Sequence, residues 1–68
     1  MSRSDLVDIM LIRVREAPSG KAWGFKETED SEGLVWLPKS LIEMEPTKKE
    51  GIFVVTMPEY LAHEKELI

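Results

Sequence analysis

The sequence predicts a small, mainly β domain: a five-stranded antiparallel barrel of SH3-like or OB-like type, or a strongly bent sheet, with one short C-terminal α-helix. Three observations predict it. Short runs rich in β-branched and aromatic residues recur along the chain, and such runs suit a pleated, half-buried surface. Turns containing Pro or Gly separate them at short intervals. A helix-start pattern occurs once, at Pro58-Glu59 near the C-terminus.

Residues 1–5 are polar and are expected to form a loose start. Leu6 to Glu16 reads as the first strand, with Val7, Ile9, Leu11, Arg13 and Arg15 on one face and Leu6, Asp8, Met10, Ile12, Val14 and Glu16 on the other. Both faces are apolar in the middle, which predicts that both are covered. Ala17-Pro18-Ser19-Gly20 is a turn. Lys21 to Glu27 is a second strand, in which Trp23 and Phe25 share a face and Gly24 leaves room for a close approach on the other. An acidic loop over residues 28–33 leads to a third strand, Leu34 to Leu37, which Pro38 breaks. Leu41 to Glu45 alternates apolar and acidic residues as a fourth strand. After a turn at 46–51, Ile52 to Met57 is the strongest strand signal. Pro58 to Leu67 is the expected helix, docked through Leu61 and Ile68, with Glu59 complementing its positive end.

Length and composition bound the rest. Sixty-eight residues support a single domain over 1–68. A chain this short buries only about 60 % of the surface its unfolded form exposes, so its large apolar residues are needed inside. It has no cysteine, which removes disulfides, thiolate metal ligands and cysteine nucleophiles. Nine Lys and Arg stand against thirteen Asp and Glu, a net charge of −4. That balance argues against broad binding to duplex DNA, which requires a basic face. The apolar run from Leu6 to Ile12 is too short to span a bilayer. It also lacks a signal-peptide cleavage pattern, and a soluble, intracellular protein is expected.

Candidate chemistry is sparse. Glu29, Asp30 and Glu32 cluster in the acidic loop, but nothing around them in sequence would split their pKa values as acid–base catalysis requires. The loop also lacks the central glycine of a calcium loop. Glu59 and His63 stand one helical turn apart, and two ligands do not complete a metal site. The four glycines are dispersed and form no phosphate loop. The sequence therefore predicts no enzyme activity, no cofactor and no metal.

Two patterns suit binding. Arg13, Arg15, Lys21 and Lys26 surround Trp23 and Phe25 on the first hairpin, the combination of charge and aromatic platform that holds single-stranded nucleic acid. Core use of Trp23 and Phe25 competes with that reading. The second pattern is an apolar surplus in the first strand, with Trp36 and Phe53, bordered by charge. Such a surplus marks a protein partner or self-association, and pairing through the edge of the first or last strand is an available mode.

Two resemblances attach to the segment 33–44. Gly33-Leu34-Val35-Trp36-Leu37-Pro38-Lys39-Ser40-Leu41-Ile42-Glu43 resembles the part of SH3-like barrels in which a strand ends in a proline and a helical turn leads into the last strand. It implies barrel geometry only, since the acidic, aromatic N-terminal signature of proline-peptide binders is missing. Val35-Trp36-Leu37-Pro38-Lys39-Ser40, with Val55-Thr56-Met57-Pro58-Glu59-Tyr60-Leu61-Ala62 and the tail ending Leu67-Ile68, is similar to a group of short phage and prophage proteins without an assigned activity. That resemblance implies viral origin and the host cytoplasm as location.

The functional expectation is a non-catalytic phage accessory protein that binds another protein, a host component or a second copy, with a host defence or DNA-processing component as target. Arg13, Arg15, Trp23, Phe25, Glu29, Asp30 and Glu32 are the candidate partner-binding residues. The alternative is a single-stranded nucleic-acid-binding module that uses Arg13, Arg15, Trp23 and Phe25. No membrane association is expected.

Overall fold

The computed structural model describes residues 5–68; the expected loose start at residues 1–4 lies outside them. Five strands form one antiparallel sheet: β1 (Leu6–Glu16), β2 (Ala22–Lys26), β3 (Val35–Pro38), β4 (Glu43–Pro46) and β5 (Ile52–Pro58). A single 3-10 turn, Lys39–Leu41, joins β3 to β4, and the helix α1 (Glu59–Glu64) follows β5. The strand order is β3-β2-β1-β5-β4, and the sheet is open rather than closed into a barrel. The bent-sheet form of the expectation is the one observed. The helical turn after Pro38 is present, but it leads into β4 and not into the last strand.

β1 organises the sheet because it is long enough to serve two partners in succession. Its first half, Leu6 to Ile12, pairs with Pro58 to Ile52 of β5. Its second half, Ile12 to Glu16, pairs with Lys26 to Trp23 of β2. The last strand is therefore interior, which corrects the expected edge pairing for β5, while the Leu6 to Leu11 half of β1 is paired with β5 on one side and with no strand on the other among the described residues. The outermost strands are β3 and β4, each four residues long and each ending in proline. Short strands with proline and, on β4, exposed glutamates make poor templates for a further strand.

The core lies on one face. Leu11, Phe25, Leu37, Val55, Met57, Leu61 and Ala62 are buried, with Val7, Ile9, Trp23, Val35, Ile42, Met44, Phe53 and Leu67 packed around them. Alternation in the strands supplies this set: Leu11, Val55 and Met57 come from successive inward positions of β1 and β5. α1 adds Leu61 and Ala62 to the same face. The reverse face of the sheet is covered by no other element among the described residues, so the predicted cover on both faces of β1 is present on one only.

One more expectation changes. Arg13 and Arg15 do not share a face, because the register shifts between them. A bulge inserts one residue and reverses the alternation beyond it. Arg13 is opposite Phe25 on the core side, Arg15 is opposite Gly24 on the reverse side, and Glu16 returns to the core side opposite Trp23. Trp36, named in the apolar surplus, is half-buried on the reverse face, where its ring covers Gly24.

The helix is shorter than the 58–67 predicted, because it is stopped by its own cap. Pro58 is the N-cap, in extended conformation. At the other end Glu66 is left-handed at φ 58°. Its N–H donates to the His63 carbonyl at 3.0 Å, and the Leu67 N–H donates to the Ala62 carbonyl at 2.8 Å. This is the Schellman pairing, normally made with glycine at the left-handed position. It swings Leu67 onto the core and leaves Ile68 54 % exposed. Leu67, not Ile68, docks the end of the chain.

Candidate protein-binding face

The candidate residues separate into three places. The first is the rim of the core at the β1–β2 end. The Arg13 guanidinium lies 4.8 Å from the Trp23 ring centre and 4.7 Å from that of Phe53. Lys39 lies 4.7 Å from the Trp23 ring and forms an ion pair with Glu16. Phe25 is completely buried, which removes its ring from any surface and corrects its place among the partner-binding candidates. Trp23 packs on the core and carries two cations. Arg13, Trp23, Phe53, Lys39 and Glu16 thus form a self-satisfied rim. A shallow depression of about 400 Å³ beside it is lined by Gly20, Lys21, Lys39 and Ser40.

The second place is the acidic loop. The Thr28 N–H donates to Ser31 Oγ at 3.2 Å, the Ser31 N–H donates to the Thr28 carbonyl at 3.1 Å, and the two hydroxyls are 3.2 Å apart. This staple gives the loop a defined turn and points Glu29, Asp30 and Glu32 to solvent, where all three are exposed. No group of three or more His, Cys, Asp or Glu among the described residues converges as metal ligands do. On α1, Glu59 and His63 approach to 3.7 Å, both exposed.

The third place was only half visible in sequence. The reverse face of β1 and β5 carries Leu6, Met10 and Ile12 beside Ile52 and Val54. Leu6 is 57 % exposed, Met10 is 60 % exposed, and Val14 at the bulge is 44 % exposed. The expected surplus of apolar residues is real, but it is not Val7, Ile9 and Leu11. Those three pack on the core, and the surplus is their even-numbered neighbours. Trp36 and Leu34 extend the patch across Gly24, since a β-carbon there would meet Trp36 Cζ3 at 3.0 Å and Leu34 Cδ1 at 3.2 Å. The signal in the sequence was the apolar character of both faces of the first strand. What it lacked was knowledge that α1 covers only one of them.

Polar groups interrupt and border this face. Within it, between Leu6 and Met10, exposed Asp8 accepts a hydrogen bond from the Thr56 hydroxyl at 2.7 Å, across a paired position of β1 and β5. Glu43 and Glu45 are exposed on β4, opposite Thr56 and Val54. Lys26 of β2 stands beside Ile12 at the other margin. No helix among the described residues is long and apolar enough to cross a membrane. No protein-family model, curated protein or solved structure matches the chain.

Proposed function

We propose that this chain is a non-catalytic protein-binding module, and that the reverse face of its sheet is the contact surface. The observation that carries this is the exposure of Leu6 and Met10, beside Ile12, Ile52 and Val54, on a face with no covering element among the described residues. An apolar patch rimmed by charge is the usual signature of an association surface, and Met and Trp are among the residues enriched there. The acidic loop, held in shape by Thr28 and Ser31, lies outside this patch and contributes steering of a basic partner more than affinity.

The setting we propose is that of a phage accessory protein whose target is a host defence or DNA-processing component. The likeness of the Trp36 block and the Pro58–Ala62 segment to phage proteins supports it. The alternative of single-stranded nucleic-acid binding draws less support. Its platform needs free aromatic faces, whereas Phe25 is sealed and Trp23 is stacked by Arg13 and Lys39.

A photo-cross-linking side chain placed at Met10, and in a separate protein at Lys48 as control, tests the reading in living cells. Protein adducts from position 10 and none from position 48 support it. No adduct from position 10 overturns it.

A further inference from the structure

The first half of β1 has a free side. The Arg13 N–H donates to the Gly51 carbonyl at 2.9 Å, and the pairs from Leu6–Pro58 to Ile12–Ile52 continue that register without a break. Bonded and non-bonded pairs alternate along an antiparallel ladder. Val7, Ile9 and Leu11 therefore direct their backbone groups to β5, and Leu6, Asp8, Met10 and Ile12 direct theirs to the opposite side. Ile12 is met there by Lys26, the last residue of β2. The N–H and C=O groups of Leu6, Asp8 and Met10 meet no strand among the described residues, because the chain leaves β2 at Glu27 for the acidic loop. The core side shows the same gap. Val7 and Ile9 are only half-buried, whereas Leu11, next to the β2 junction, is 1 % exposed.

Unpaired backbone groups at alternate positions of a strand are matched by another extended strand, and the side chains around this slot define which one. An antiparallel guest lying in line with β2 places five residues here, facing Met10, Ile9, Asp8, Val7 and Leu6 in turn. Its first, third and fifth residues share the reverse face with Met10, Asp8 and Leu6, and its second and fourth lie beside Ile9 and Val7 on the core side. Met10 is 60 % and Leu6 57 % exposed, so the first and fifth guest residues are apolar. Asp8 between them is exposed. Its Oδ1 accepts from the Thr56 hydroxyl, and it has no ion-pair partner among the described residues. A carboxylate has further acceptor sites to offer, so the residue that suits the position facing it is Lys or Arg. Both ends of the slot favour the same sign. Glu27 and the acidic loop follow the β2 junction at one end. At the other, a depression of about 360 Å³ is lined by Asp5, Glu59, Tyr60 and His63. A second copy of this chain fits less well. Pairing the edge with itself over Leu6 to Met10 sets Asp8 directly opposite Asp8, and like charges so placed are destabilising.

We propose that the free Leu6–Met10 edge of β1 binds an extended segment of a different protein by antiparallel strand addition, and that this segment carries Lys or Arg at its centre between apolar neighbours. The proposal rests on the reading of this sheet as protein-binding and names how its partner is held. Asp8 exchanges both backbone bonds with the central guest residue, and Leu6 and Met10 do so with the fifth and the first. The added strand extends the apolar reverse face beside Leu6 and Met10. The outermost strands β3 and β4 are shorter, end in proline and offer poorer templates. Five paired residues make a small contact, so an isolated segment binds weakly, with a dissociation constant on the order of 100 µM.

Fluorescence anisotropy of a labelled synthetic peptide titrated with the purified full chain tests this. The probe is Ile-Val-Lys-Val-Ile with Ser-Gly at each end, and saturable binding is expected below about 1 mM. Glutamate in place of the central lysine is expected to weaken binding by about fivefold, because it turns an opposed pair into like charges. N-methylation of the lysine removes the N–H that donates to the Asp8 carbonyl and is expected to weaken binding by about tenfold or more. N-methylation of the second valine, whose N–H points away from β1, is expected to change it by less than about twofold. The Asp8→Asn chain, checked for its fold by circular dichroism, is expected to bind the lysine and glutamate peptides alike. No binding at about 1 mM, equal binding of the lysine and glutamate peptides to wild type, or equal loss from the two N-methylations overturns the proposal. A free chain that sediments as a dimer, tightened by Asp8→Asn, assigns the edge to a second copy and overturns it too. If the peptide fails while the Met10 cross-linker still captures a protein in cells, strand addition is excluded and the protein-binding face stands. If neither binds, both fall.

Discussion

The ring of Trp36 lies against the backbone of Gly24 on the neighbouring strand, so close that a β-carbon at that position would stand 3.0 Å from Cζ3 and 3.1 Å from Cη2. The pair is in register between β2 and β3. The absent side chain at Gly24 is what lets the indole edge approach β2 this closely on the reverse face. Gly24→Ala is expected to push the ring off and to destabilise the domain by about 1–3 kcal/mol, the range for forcing extra carbon into a packed contact. Chemical denaturation with the wild type alongside measures it, and an unchanged midpoint would refute the contact.

Arg13 joins Trp23 of β2 to Phe53 of β5 through its guanidinium. It is itself exposed, so each stack contributes only about 0.5–1 kcal/mol. Arg13→Ala is expected to lower stability by about 1–2 kcal/mol and to expose the Trp23 ring, read as a red shift of its fluorescence. Arg13→Lys is expected to lose less. Equal losses in the two variants would show that the planar guanidinium, which lysine lacks, is what matters, and not the stem or the charge alone.

Glu66 occupies the left-handed position of the helix cap with a side chain. A left-handed conformation costs a non-glycine residue about 1–2 kcal/mol. Glu66→Gly is therefore expected to stabilise the protein by about 1 kcal/mol and to raise the melting temperature by about 4–8 °C for a domain of this size. A lower melting temperature would contradict the cap geometry.

Neutralising the acidic loop is expected to leave the fold alone. Glu29, Asp30 and Glu32 are exposed, and surface changes away from special features stay within about ±0.5 kcal/mol. Glu29→Gln/Asp30→Asn/Glu32→Gln should melt like wild type and alter only the association rate with a basic partner. A large loss of stability would assign the loop a structural role that its hydrogen bonds do not suggest.

Much of the fold was legible in the sequence because alternation, turn residues and the Pro58 start are local signals. Five strands, the turn after Pro38 and the C-terminal helix follow from them. The departures arise where a tertiary choice overrides the local one. The bulge between Arg13 and Arg15 leaves no mark that distinguishes it from regular alternation, so the faces of Arg15 and Glu16 were interchanged while Arg13 keeps the face expected. The helix end was overrun because Glu66 takes a conformation for which glycine is the usual cue. Trp36 could be named as surplus apolar surface, but the space that receives it, beside Gly24 and Leu34, is set by the strand pairing. The candidate face shares this character. Its residues could be named from the sequence as one side of β1, but that it stays open depends on α1 packing against the other side.

The central claim is that the reverse face of the sheet, bearing Met10, Ile12 and Val54, is a protein-contact surface. Photo-cross-linking in living cells from position 10, with position 48 as control, tests it most directly. The account predicts protein adducts from position 10 and none from position 48. No adduct from position 10, or the same adducts from both positions, would contradict it.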